Sequence, residues 1–289
     1  MSILVIGATG NVGSQIVQRL STKGVDVKAL VREGDKTTLP AGVTKVVGDL
    51  TSAKSMRAAL SSVKTLFLLN AVVPDEVTQA LMTLNLAKAA GIERIVYLSV
   101  INSDTYTDVP HFTGKHTVER MIETLDLPVT ILRPAYYMQN DVRIKDVVES
   151  YGIYPMPIGK VGVYMVDVRD IADVAVAELL ARHGAPTALP RKIVEVVGPD
   201  AVTGESAARI WSEALGREIK YGGDDLDAFE AQLAQYGPDW LAFDMRLMMA
   251  GIQSRGQIPA KDAQQAIEKL LGRSPRTYRD YVRELTSKN

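Results

Sequence analysis

Short apolar runs alternate with amphipathic stretches over the first 140 residues of the chain. The run Ile3-Leu4-Val5-Ile6 predicts a first strand. Five more are predicted at 25–31, 43–47, 65–69, 94–98 and 129–132. Helical spacing fills the intervals at 15–20, 55–60, 77–90 and 117–124. These runs lack strict apolar–polar alternation, which marks strands buried on both faces. Strand–helix alternation of this kind predicts a doubly wound parallel sheet of Rossmann type. Ligands of such sheets bind at the carboxyl ends of the strands.

Beyond about residue 140 the pattern changes. The segment Tyr151-Gly152-Ile153-Tyr154-Pro155-Met156-Pro157 interrupts periodicity with Gly and Pro. Short strands are expected at 163–166 and 193–197, separated by a helix at 171–180. From Thr203 onward the pattern is mostly helical. The fold class expected is therefore α/β, with a smaller mixed α/β, mostly helical C-terminal portion. Residues 1–150 are expected to bind a dinucleotide. Residues 151–289 are expected to shape a substrate pocket, allowing for segments that return to the first domain.

The sharpest chemical signal is Gly7-Ala8-Thr9-Gly10-Asn11-Val12-Gly13, between the first strand and the first helix. A helix N-terminus offers free backbone N–H groups and the positive end of the dipole. A diphosphate sits there without a cationic side chain. Gly7 suits the tight turn, Gly10 lets the backbone approach the phosphates, and Gly13 lets the helix pack close. An NAD site usually carries Asp or Glu about 20 residues further on. Here the second strand ends in Val31-Arg32, and Lys36 follows. Arg32 could fork onto a ribose 2′-phosphate, so NADP(H) is favoured and NAD(H) remains open.

Further candidates follow the later strands. Asp49, next to Leu50, could accept from an adenine amino group or cap the next helix. Asn70 and Ala71 follow the fourth strand, Ser99 the fifth, and Pro134, Tyr136 and Tyr137 the sixth. All are candidate cofactor contacts, and Tyr137 is also a candidate substrate contact. His111 and Lys115 lie four apart, so a helix would place them on one face. Lys115 is a candidate ribose ligand and charge carrier, with a pair to Glu119 as its ordinary alternative. His111 is a candidate acid, with simple pocket lining as its alternative. Asp167-Val168-Arg169-Asp170 reads as a capped helix start.

Composition narrows the classes. Net charge is −1 over 289 residues, which argues against nucleic acid or an anionic membrane as partner. Cysteine is absent, which excludes disulfides and a thiolate nucleophile. Only three histidines are present, scattered along the chain, so no metal site is expected. No stretch approaches the ~20 apolar residues of a membrane helix. The first strand starts so early that no leader is expected, and a cytoplasmic location follows.

These pieces together resemble the NmrA-like branch of the atypical short-chain dehydrogenase/reductases. The matching segments are residues 7–13, Val31-Arg32, Gly48-Asp49-Leu50, the His111…Lys115…Glu119 helix, Leu132-Arg133-Pro134 with Tyr137-Met138-Gln139-Asn140, and Val168-Arg169-Asp170-Ile171-Ala172. The resemblance implies an NAD(P)H-dependent reductase acting on a quinone or similar flat small molecule. It equally implies the alternative of a non-catalytic redox sensor, and leaves a homodimer open. One departure stands out. Better-known short-chain dehydrogenases carry Tyr-x-x-x-Lys where this chain has His111-x-x-x-Lys115.

Overall fold

In a computed structural model, residues 2–287 are described. The elements in chain order are β1 (Ser2–Val5), α1 (Asn11–Ser21), β2 (Val27–Val31), β3 (Val43–Val47), α2 (Ala53–Leu60), β4 (Val63–Leu68), α3 (Glu76–Ala89), β5 (Arg94–Leu98), α4 (Pro110–Thr124) and β6 (Val129–Pro134). A 3₁₀ turn (Met138–Ile144), α5 (Lys145–Tyr151), β7 (Ile153–Tyr154), α6 (Val168–Gly184), β8 (Lys192–Val196) and α7 (Gly204–Leu215) follow. β9 (Lys220–Tyr221), α8 (Leu226–Leu233), α9 (Asp239–Arg255), α10 (Ala263–Leu271) and α11 (Tyr278–Thr286) complete the chain. The expected strands at 43–47 and 94–98 form with those bounds.

The chain divides into two units that interleave in sequence. The first comprises residues up to Val100, Gly114–Arg133 and Val168–Val194. The second comprises Ile101–Thr113, Pro134–Asp167 and Glu195 onward.

The main sheet has the order β3-β2-β1-β4-β5-β6-β8, and the pairings from β3 through β6 are parallel. Strand order reverses between β1 and β4, so the chain diverges there and opens a crevice at the strands' carboxyl ends. β1 is buried at every position, which is why it is apolar after Ser2, whose hydroxyl donates to Ser62 O at 3.2 Å. β3 lies at the sheet edge and exposes Thr44, Lys45 and Val47. A lysine on an edge strand discourages pairing with another chain. One face of the sheet packs Leu4, Ile6, Leu66 and Leu68 against Met56 and Leu60 of α2, Leu84 of α3 and Ile122 of α4. Elsewhere in the same unit α1 packs on α6, joined by an Arg19 Nε–Asp173 Oδ1 pair of 2.6 Å.

The second unit departs from the expected pattern at 163–166. No strand forms there. Gly162 has φ +118°, and each following residue bonds a different partner. Val163 donates to Val202 O at 2.9 Å, Tyr164 to Gln257 O at 3.4 Å, and Val166 to Tyr136 O at 2.9 Å. The apolar alternation reports burial here, without a continuous ladder. At the centre of this unit lies Asp141, fully buried. Its Oδ2 accepts from Tyr278 at 2.5 Å and from Tyr154 at 3.1 Å. Trp211 Nε1 in turn donates to the Tyr278 hydroxyl at 2.9 Å. The cluster ties the 3₁₀ turn to β7, α7 and α11.

Burial pushes the Asp141 carboxyl up to about 6, although hydroxyls of Tyr278, Tyr154 and Tyr136 favour its charged form. The unfolded chain therefore releases this proton first as pH rises. The stabilisation is complete below about pH 4 and is lost between about pH 4 and 6, by roughly 3 kcal/mol. Denaturant unfolding measured across that window is expected to show this fall in the wild type and not in Asp141→Asn. Parallel pH profiles for the two proteins would contradict the assignment.

Candidate functional site

The site of the first unit begins where β1 ends. Gly7 turns the chain with φ +75°, a left-handed conformation that side chains rarely adopt. A Cβ at position 13 would lie 2.0 Å from the Gly7 carbonyl oxygen. Only glycine lets the first turn of α1 approach the strand end this closely. Gly10 is the N-cap of α1, and no side chain caps the helix. There is no acidic residue in its first turn either. The N–H groups at this end are thus open to an external anion.

A cavity of about 760 Å³ lies in front of this turn. Gly7 and Thr9 line it, with Arg32, Glu33 and Asp35 after β2 and Gly48, Asp49, Leu50 and Thr51 after β3. Leu69, Ala71 and Val73 after β4, and Gln79 of α3, form another wall. Of the sequence candidates, Gly7, Thr9, Arg32, Asp49, Leu50 and Ala71 meet here. Ala8, Val12 and Gly13 are buried in support, and Gly10 and Asn11 are exposed at the helix start. Lys36 is exposed on the segment after β2 without lining the cavity.

Arg32 is exposed at the cavity rim. Asp35 stays well ionised, because the Thr37 backbone N–H and hydroxyl bond it and the Lys45 and Arg32 charges add to the effect. Asp49 does not cap α2; Ser52 does, accepting from Ser55 N at 3.2 Å. The Asp49 carboxylate instead accepts from Thr51 N at 2.8 Å and Thr51 Oγ1 at 2.7 Å, which lowers its pKa. It remains exposed and charged on the cavity wall.

Behind the β4 wall lies a buried polar group. Asn70 is 3% exposed, and its Oδ1 has no partner among the described residues. Lys115 is 6% exposed; its Nζ lies 2.5 Å from Glu76 Oε1 and 3.5 Å from Asn70 O. The expected alternative, a pair with Glu119, does not form. Glu119 is taken by Arg133 at 3.1 and 2.5 Å and by the Ser99 hydroxyl at 2.5 Å. Ser99 is therefore committed to Glu119. The Tyr97 ring lies 5.8 Å from the Lys115 ammonium. Burial, with Glu76 and Glu119 nearby, holds the Tyr97 phenol well above its usual range.

The remaining candidates belong to the second unit. His111 Nδ1 lies 2.7 Å from Oδ2 of Asp244, a residue of α9 that is 1% exposed. The carboxylate orients the ring by accepting at Nδ1, and the ring edge rests on Phe112 at 4.7 Å. Tyr136 is buried, and its backbone N–H donates to Gln257 Oε1 at 2.8 Å. Tyr137 is half-buried, with its phenol pushed up by desolvation. Pro134 is buried, and its carbonyl accepts from Ile101 N at 3.0 Å.

Sequence reading missed Glu76, Gln79 and Asp244. Glu76 carries only the signal of an acidic residue in the first turn of a helix. Asp244 sits in a helix whose pattern gives no sign of a histidine partner far away in sequence. Among the described residues no cluster of three or more His, Asp or Glu could hold a metal, and no helix is long and apolar enough to cross a membrane.

Comparison with known proteins places this geometry. An NAD(P)H azoreductase of Xenophilus azovorans is 30% identical over 97% of this chain and 96% of its own length. The fold matches an NADPH-dependent quinone oxidoreductase of Escherichia coli solved with NADPH, at TM-score 0.83 and 23% identity, covering 98% of this chain and 99% of that one. It also matches Nmra, a negative transcriptional regulator, at TM-score 0.78 and 17% identity over 99% and 96% of the two chains. The model of the NmrA-like family matches residues 1–268, and the chain belongs to that family.

Proposed function

We propose that the protein is an NADPH-dependent reductase that delivers hydride to a quinone or a similar flat electrophile. The observation that carries this reading is the groove at the β1/β4 reversal, with an uncapped helix N-terminus at one end and Arg32 at its rim. The residues present fit a dinucleotide. Gly7 and Gly13 bring the uncapped start of α1 against the end of β1, and the buried Asn70 Oδ1 has no donor among the described residues. The azoreductase and quinone oxidoreductase relatives add support.

On this reading residues 7–13 hold the diphosphate, Arg32 and Lys36 the 2′-phosphate, and Asp49 and Leu50 the adenine. Within the first unit Asn70, Ala71 and Lys115 hold the second ribose. The bound cofactor supplies two electrons as hydride. Lys115 keeps a positive charge buried in the first unit. His111 and Tyr137 contact substrate, with His111 oriented by Asp244. Hydride addition to a quinone leaves a delocalised phenolate, a weak base that water protonates. Such a reaction does not need the phenolic acid that this chain lacks at position 111.

Three outcomes test the reading. NADPH oxidation followed by absorbance is expected to accelerate with members of a quinone and azo-dye panel. Tight NADPH binding with no turnover on any acceptor would instead favour a redox sensor, which then requires unequal affinities for NADP⁺ and NADPH. Arg32→Ala is expected to weaken NADPH binding about tenfold while leaving NADH binding within twofold, as loss of a charge-assisted contact worth ~1.5 kcal/mol requires. An unchanged NADPH preference in calorimetry would refute the role of Arg32. Gly13→Ala is expected to push α1 off β1, costing about 1–3 kcal/mol of stability with a matching loss of dinucleotide affinity. Wild-type melting and binding in that variant would show that the close approach is dispensable.

A further inference from the structure

We propose that Glu76 is a positioning residue for Lys115, whose ion pair holds the ammonium fixed beside the Asn70 segment of the groove wall. The inference rests on the reading that the first unit binds a reduced dinucleotide.

Lys115 and Glu76 are 6% and 5% exposed, and their charged atoms are 2.5 Å apart. Removing an ammonium from water is costly unless an anion meets it. The neighbouring carboxylate on the same helix, Glu119, is engaged by Arg133 and Ser99. The counter-charge for Lys115 therefore comes from α3. Glu76 lies in the first turn of that helix, where the positive dipole end favours an ionised carboxylate.

A buried ion pair of this kind adds little net stability over an apolar pair of similar volume. Its surroundings point to a ligand. An ammonium has three donors, and its contact with Glu76 Oε1 is an ion pair without hydrogen-bond geometry. Asn70 O, at 3.5 Å, is a weak acceptor for one of them. Near Lys115 the Asn70 Oδ1 and the Tyr97 hydroxyl are buried with no partner among the described residues. A spare donor on Lys115 and an idle acceptor on Asn70 complement a hydroxyl group, which needs both. Leu69 and Ala71, on either side of Asn70, line the groove. Glu76 thus acts on the cofactor through Lys115 and not by contact.

The charged and titratable groups facing Lys115 are Glu76 from α3, Tyr97 from β5, and Glu119 of α4 with its Arg133 partner from β6. With Glu76 neutral, the buried ammonium at position 115 loses its contacting counter-charge. The test is Glu76→Gln, a change of charge with little change of shape. The dissociation constant for NADPH is measured by calorimetry between about pH 7 and 9.5, below the ordinary lysine range near 10.4.

Wild-type affinity is expected to stay flat across this window. Glu76→Gln is expected to bind about tenfold more weakly at neutral pH and to weaken further as pH rises. Wild-type affinity with a flat profile in Glu76→Gln, whatever its melting temperature, would overturn the proposal. If Glu76→Gln does not fold, the Glu76→Gln/Lys115→Met protein, which removes both charges, is compared with Lys115→Met. Equal NADPH affinities support the proposal, and a further loss in the double variant overturns it. Wild-type protein that binds no NADPH would refute the proposed function itself, a result separate from any of these.

Discussion

No side chain can stand at position 13. A single Cβ there would sit 2.0 Å from the Gly7 carbonyl oxygen, so α1 begins against the end of β1 only because both positions are glycine. Much else follows from that contact. It sets the uncapped N-terminus of α1 at the point where strand order reverses. The segments after β2, β3 and β4 then converge on one cavity. Their side chains differ in chemistry, but the sheet delivers each to the same edge. A parallel sheet buried on both faces leaves its strand ends as the place where backbone polar groups and loops meet solvent.

The two units handle buried carboxylates in different ways. Glu119 and Glu76 in the first unit each face a cation, Arg133 and Lys115. Asp141 in the second is surrounded by phenols, and burial raises it to about 6. Hydroxyl donors offset only part of the desolvation of a carboxylate, whereas a contacting cation also meets its charge. The choice has functional weight. A buried carboxylate beside a cation has its charge met directly, as Glu76 has. A carboxyl that only ties elements together tolerates a shifted titration, as Asp141 does.

Much of the first unit was legible in the sequence. Strands β3 and β5 begin and end where expected, β5 because residues 95–98 are apolar and buried, and the exposed edge strand β3 because its β-branched residues favour extended backbone. The glycine turn was legible because its constraint is local: conformation at Gly7 and space at Gly13. The segment 163–166 misled because each residue is buried yet bonded to a different partner, and apolar periodicity reports burial alone. The partners of Lys115 and His111 were invisible for a related reason. Spacing along a helix finds neighbours three or four residues away. It predicts Glu119 beside Lys115 and says nothing of Glu76, or of Asp244 beside His111. Ser52 rather than Asp49 caps α2, a choice between capping residues three positions apart that backbone geometry alone decides.

The base left behind by hydride addition decides how much acid the protein must supply. A quinone leaves a phenolate, whose conjugate acid has a pKa near that of tyrosine, about 10. Water and buffer protonate it without help. An azo bond leaves charge on nitrogen, a much stronger base, and a positioned acid then contributes typically 10²–10⁴-fold. Position 111, a tyrosine in the better-known dehydrogenases, here holds a histidine fixed by a buried aspartate. The buried phenols Tyr97 and Tyr136 are poor donors, since burial raises them. On the proposed reductase reading, loss of the imidazole at position 111 is therefore expected to slow azo dyes most and quinones least.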